Sequence, residues 1–153
     1  MNIRDINALV AEKVLGWTPW LELRGEYHFI VWQKTGQREP WMGTREWQKA
    51  KERYSLFTGK YDPMVHIENG LPNFVDDMNW TAEVIKKLGL ALIPQSDGDG
   101  FCWLATDVKA VHYDGNVVIE EKEDAGYAHK EIGVAVCMAG LLSVGVDIKG
   151  LED

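Results

Sequence analysis

The run from Ile132 to Val146, the longest apolar stretch in the chain, most restricts what this sequence can fold into. Three glycines interrupt it, and it is shorter than the roughly 20 residues that a bilayer span requires. A helix over 127–144 is the expectation. Gly133, Ala135, Ala139 and Gly140 would let that helix lie close against a sheet or another helix, so it should be nearly buried. The rest of the chain must then supply the layers that cover it.

Helical and strand signals divide along the chain. Asn2 can cap a first helix, with Asp5 in its first turn and Ile3, Ile6, Val10 and Val14 at helical spacing, and Gly16 ends it. Leu21–Leu23 and Tyr27–Gln33 are rich in aromatic and β-branched residues and predict one or two hairpins, with Gly25 and Lys34-Thr-Gly36 as turns. Thr44 reads as the cap of a helix to Phe57, and 59–72 reads as a surface connection. Val75, Met78, Thr81, Val84, Ile85 and Leu88 predict a helix that starts at Asn73 and stops at Gly89. Strands over 91–93 and 101–106 flank a Ser-Asp-Gly-Asp-Gly turn. A further pair, 108–113 and 117–121, meets at Asp114-Gly115, so an antiparallel meander is expected.

At 153 residues, with 46% hydrophobic and 26% charged residues, the chain suits one domain over 1–153. Charges break the apolar pattern of MNIRDINALVAEKV, so neither a secretion signal nor a membrane span is expected, and the cytoplasm is the expected compartment. Cys102 and Cys137 sit among apolar neighbours as buried thiols, and no Cys/His spacing supports zinc. The net charge of −8 argues against non-specific nucleic-acid binding. It is unevenly spread: residues 1–70 carry ten Lys/Arg against nine Asp/Glu, and residues 71–153 carry six against fifteen.

Three stretches, NALVAEKVLGW, LPNFVDDMNWTAEVIKKLG and KEIGVAVCMAGLLSVGV, resemble the phage ABA-sandwich family, with Gly16-Trp17, Pro72-Asn73-Phe74 and Asp77 at the matching positions. The resemblance covers 1–17 and 71–148. It implies an α+β fold, a helix/antiparallel sheet/helix sandwich, and a phage or prophage setting with host-cell cytoplasm as location. It carries no catalytic residues. The chain departs from the family pattern over about 20–70, an aromatic- and Arg-rich insertion after the first helix.

That insertion is the leading candidate for a ligand site. From Gln33 to Lys60 it holds seven basic and three acidic residues, a local +4 on an acidic protein. Arg24, Trp32, Arg38, Trp41, Arg45, Trp47, Lys49 and Arg53 interleave flat aromatic faces, which stack nucleobases, with guanidinium forks that match phosphate oxygens. Trp20, Tyr27, Tyr54 and Phe57 add to the aromatic side. The competing reading is that these aromatics fill a core extension or a subunit interface, where Trp, Tyr and Arg are enriched.

Other groups carry less chemistry. Asp97-Gly-Asp99-Gly100 lacks the later ligands of a calcium loop and reads as a hairpin turn. The histidines, His28, His66, His112 and His129, have no ligand spacing; His66 with Glu68 and Asp62 forms the one acid/base group to weigh. No nucleophile elbow, phosphate loop, dinucleotide fingerprint or zinc-protease motif is present. The run Glu120, Glu121, Glu123, Asp124 reads as a solvated strand end that discourages edge pairing.

The expectation is therefore a non-catalytic accessory protein without cofactor or metal that binds a small anionic, nucleotide-derived ligand and sequesters a host-defence signal. Homo-oligomers are also expected. The alternatives are an oligomeric interaction module without a small ligand and, ranked last, a small nucleotide hydrolase built on His66, Glu68 or Asp62.

Overall fold

The computed structural model describes residues 1–24, 27–37, 46–49, 66–69, 71–96, 98 and 100–152, with the backbone alone at 21–24, 27–29, 46–49, 66–69, 109–111 and 121–125. Its fold is α+β. Asn2 accepts the Asp5 backbone N–H at 3.3 Å and opens α1, Ile3–Leu9, as the sequence predicts. The helix continues as a π-helical turn over Val10–Val14, where the Leu15 N–H reaches back five residues to the Val10 carbonyl. Gly16, at φ +69, then turns the chain.

Strands β1, Thr18–Arg24, and β2, Tyr27–Gln33, form the expected hairpin, with Thr18 opposite Gln33 and Arg24 opposite Tyr27. The next two strands depart from expectation. Glu46–Lys49, within the predicted helix over 44–57, is strand β3, antiparallel to Trp20–Leu23 of β1; residues 44–45 and 50–57 lie outside the described set. His66–Asn69, within the predicted connection, is β4, which runs parallel to β2. The strand order is β3-β1-β2-β4. The physical reason lies in the hairpin: both its outer edges present unpaired backbone groups, and pairing with a distant segment satisfies them whatever that segment's local helical pattern.

The second half follows the prediction more closely. Residues 74–76 form a turn, and helix α2, Met78–Leu88, starts one residue after Asp77, whose carboxylate accepts the Asn79 N–H at 3.0 Å. Asn73, expected to open this helix, instead caps the preceding turn and accepts from the Asp76 N–H at 3.1 Å. Gly89, at φ +67, stops α2 where predicted. Strands β5, Leu90–Ser96, β6, Phe101–Tyr113, and β7, Asn116–His129, form the antiparallel meander, in the order β5-β6-β7. The two expected strands over 101–106 and 108–113 are one continuous β6, with a register irregularity between Thr106 and Val108.

Helix α3 spans Ile132–Ser143 and is shorter at its start than predicted, because 127–129 pair with Trp103–Ala105 in the sheet. His129 Nδ1 accepts the Glu131 N–H at 3.0 Å at the junction. Every residue from Gly133 to Leu141 is buried, as a helix with no polar face requires. It packs against β6 and β7 and also against α1, the π-turn and α2. Gly133 permits this: a Cβ there would collide with the Val75 carbonyl.

The core is one cluster that includes Ile6, Val10, Phe74, Val84, Met138 and Leu141, and it reaches β2 through Ile30 and Trp32. Trp17, Phe74 and Trp80 meet edge to face with ring centroids 5.8–6.0 Å apart. Buried polar side chains tie separate segments together. Asn7 donates to Asn73 Oδ1 at 3.1 Å and accepts the Val75 N–H at 3.2 Å, and the Thr81 hydroxyl donates to the Phe74 carbonyl at 2.7 Å. Among the described residues no helix is long and apolar enough to cross a membrane.

Candidate functional site

Strand alternation sorts the positions of β1, β2 and β3 onto two faces. Ile30 and Trp32 are buried, so the β2 face they share is the inner one, and register adds Pro19 and positions 21 and 23 of β1 to it. The outer face takes the alternate positions: 18, 20, 22 and 24 of β1 and 27, 29, 31 and 33 of β2. In β3, position 49 pairs with Trp20 and position 47 with position 22, so both belong to the outer face.

The residues nominated from sequence therefore separate. Arg24, Trp47 and Lys49 occupy register positions on the outer face, Arg24 diagonal to Trp47 and Lys49 directly across from Trp20. Trp32 does not join them. It is 6% exposed in the core cluster, so it is a packing residue, and this correction follows from parity: it stands an even number of residues from the buried Ile30. Arg38, Trp41, Arg45 and Arg53 lie outside the described residues.

Trp20, which sequence reading placed only among the surrounding aromatics, is the anchored member of the outer face. Its indole N–H donates to Gln33 Oε1 at 2.9 Å, and Gln33 Nε2 in turn donates to the Gln37 carbonyl at 2.9 Å. The strand period carries that signal, because Trp20, Glu22 and Arg24 alternate with Pro19, Leu21 and Leu23. Beside this sheet, Lys34 holds its ammonium 5.2 Å from the Trp17 ring and 5.0 Å from the Trp80 ring, a cation–π contact that ties the end of β2 to the helical core. Thr35 adds a bond from its hydroxyl to the Leu15 carbonyl at 2.9 Å.

The weaker candidates resolve as follows. His28 and His66 stand opposite each other in the parallel β2–β4 register, and Glu68 stands opposite Ile30, so all three positions belong to the inner face; Asp62 lies outside the described residues. His112 is exposed and His129 serves the start of α3. Gly98 and Gly100 turn the chain between β5 and β6 with positive φ, and Asp97 and Asp99 are outside the described residues. Among the described residues no group of three His, Cys, Asp or Glu is placed to hold a metal ion. Both cysteines are free thiols. Burial, then the Asp76 carboxylate, pushes the Cys137 thiol up to about 12, which keeps it protonated and unreactive.

A cavity of about 440 Å³ lies where α1 meets the carboxy-terminal segment, with Asp5, Leu9 and Lys13 on one wall and Val146, Asp147 and Leu151 on the other. None of the nominated residues lines it. Its floor is apolar and its ionic groups are of both signs, so it lacks the paired cations that an anion requires.

No protein-family model and no curated protein matches the chain. Among solved structures it is similar to a phage protein from Bacillus cereus ATCC 14579, known from a 2.0 Å crystal structure, at 17% identity and a TM-score of 0.43, over 97% of this chain and 93% of that one. A likeness at that level assigns neither family nor activity.

Proposed function

We propose that this chain is a non-catalytic phage or prophage accessory protein that holds a small anionic, nucleotide-derived ligand on the outer face of the β1–β4 sheet. The observation that carries the reading is the register that puts Trp20, Arg24, Trp47 and Lys49 positions on one face of one sheet. An indole held by a neighbouring amide offers a ready stacking surface, and Arg and Lys beside it supply the charge that phosphate oxygens need. The same stretch contributes Arg38, Arg45 and Arg53 for phosphates and Trp41 for stacking. The phage setting rests on the resemblance of the flanking stretches, and sequestration of a defence signal in the host cytoplasm is the role that suits a binder of this kind.

The test is titration of the purified chain with nucleoside diphosphates and cyclic dinucleotides, followed by tryptophan fluorescence and calorimetry. Binding of one class, weakened about tenfold or more in Arg24→Ala/Lys49→Ala, is the expected result, since a lost charged hydrogen bond costs about 1.5–3 kcal/mol. Recovery of the bound compound intact separates this reading from a hydrolase using His66 or Glu68, which would return product. An affinity unchanged by the double substitution removes the outer face from the site.

A further inference from the structure

We propose that the far end of the β6–β7 hairpin is a self-association arm, in which the outer edge of β7 pairs antiparallel with the same edge of a second copy about a two-fold axis at Val118. Strand β5 stops level with Asp107, where Leu90 pairs with it, and the β6–β7 register breaks between Thr106 and Val108. From Val108 to Glu121 the two strands therefore run as a ribbon with no third strand among the described residues. Such a ribbon is marginal on its own in water, and an open apolar edge is a template for another strand. Val117, Val118 and Ile119 are 57%, 43% and 60% exposed, and because consecutive strand residues point to opposite faces, each side of the ribbon carries exposed apolar side chains.

Backbone parity restricts the occupant. Asp114 and Gly115, at φ 45 and 82, form a two-residue turn, and the pair that closes it, Tyr113 and Asn116, exchanges hydrogen bonds across the ladder. Alternation from there turns the backbone groups of Val118 and Glu120 toward β6 and those of Val117 and Ile119 outward. Two outer edges can join only where outward residues meet outward residues.

Charge then selects among the registers that remain. With the axis at Val118, Val117 of each copy meets Ile119 of the other, Val118 meets itself, Glu120 falls opposite Asn116, and Glu121 falls opposite Gly115. Moving the axis to Ile119 sets Glu120 and Glu121 against Val118 and Val117. At Glu120 a carboxylate meets its own copy, and at Val117 Glu120 meets Asp114. Like charges directly opposite are destabilising, so the Val118 register is the one that joins apolar to apolar without repulsion. The β6 edge is the competing edge, and at its root the chain enters β5 from α2 through Gly89. The acidic run after Ile119 that discourages general edge pairing thus fixes the register of this one.

Sedimentation velocity on the full chain at tens of micromolar tests the arm, together with cysteine cross-linking under mild oxidation in a Cys102→Ser background. The wild type is expected to sediment as a dimer. Ile119→Pro removes an outward N–H and leaves the bonds to β6 intact, so it should sediment as a monomer with an unchanged circular dichroism spectrum. Val118→Cys should cross-link to its copy across the axis, and Val117→Cys, which would face Ile119, should not. A monomeric wild type, an assembly that Ile119→Pro leaves whole, or cross-linking at Val117→Cys or Val111→Cys in place of Val118→Cys would overturn the proposal. The three cysteine variants decide it even where proline disturbs the arm.

Discussion

The β6–β7 hairpin has two halves with opposite surroundings. Over its base, where β5 flanks it and α3 packs on it, Ala105 and Thr106 are fully buried; past the register break, Val117 and Ile119 stand more than half exposed. Side-chain chemistry does not explain the difference, because Val117 and Ile119 are more apolar than Ala105 and Thr106. What separates the halves is whether another element covers them. Strand propensity marks both as β and is silent on which has a partner. Substitutions in the covered half should therefore act on folding, and those in the arm on association.

The largest effect is expected at the centre of the covered region. Phe74 is fully buried between the edges of Trp17 and Trp80. Phe74→Ala removes the ring and leaves a cavity that two rigid indoles cannot close, so it should cost about 3–5 kcal/mol in urea denaturation. A loss below about 1 kcal/mol would show that the cluster is not the anchor of the helical layer.

Gly133→Ala should follow, by the reverse mechanism. The added methyl meets the Val75 backbone carbonyl, which cannot swing aside as a side chain would, so α3 must shift off 74–76 at a cost of about 1–3 kcal/mol or more. Gly140→Ala is the control: its methyl meets Leu88 and Val84 side chains at 3.2 and 3.3 Å, which rotamer changes accommodate. Equal losses at the two glycines would sink the argument from the carbonyl.

The same contrast between local and distant causes explains what the sequence discloses. Caps and stops that depend on neighbours in the chain, such as Asn2, Gly16, Gly89 and the Asp114-Gly115 turn, can be read directly, and so can the burial of α3, whose composition leaves no polar face. Strands β3 and β4 cannot, because partners on β1 and β2 more than twenty residues away make them strands. The start of α3 was hidden for the same reason, since pairing with Trp103–Ala105 holds 127–129 in the sheet. At the candidate site, residue types group Arg24, Trp32, Trp47 and Lys49 but do not say which face of the sheet each position takes. Arg24, Trp47 and Lys49 share their face only through a register between strands that no spacing reveals, and Trp32 falls on the inner side by the same rule.

A smaller effect is expected from pH. Burial first, and the Asp76 carboxylate second, raise the Cys137 thiol from 9.0 to about 12. An unfolded thiol loses its proton above its ordinary value while the folded one keeps it, so the contribution to stability is whole below about pH 9 and is lost as pH climbs toward 12. Tyr127 acts in the same direction, raised by burial and by Glu152. Cys137→Ala should flatten the alkaline fall in urea midpoint without abolishing it. A slope identical to that of the wild type would mean that the thiol is hydrated in the folded chain.

The smallest effect on folding is expected in the arm, and it bears most directly on the comparison. Ile119 is 60% exposed, so Ile119→Thr keeps a β-branched side chain in the strand and gives up little burial within one chain. At concentrations low enough for the chain to be monomeric, its urea midpoint should match the wild type within about 0.5 kcal/mol. At tens of micromolar the two should diverge, because association adds stability to the wild type that the variant gains less of. A large loss in the dilute monomer would instead mean that the chain's own elements cover the arm, and the two halves of the hairpin would then differ in sequence alone.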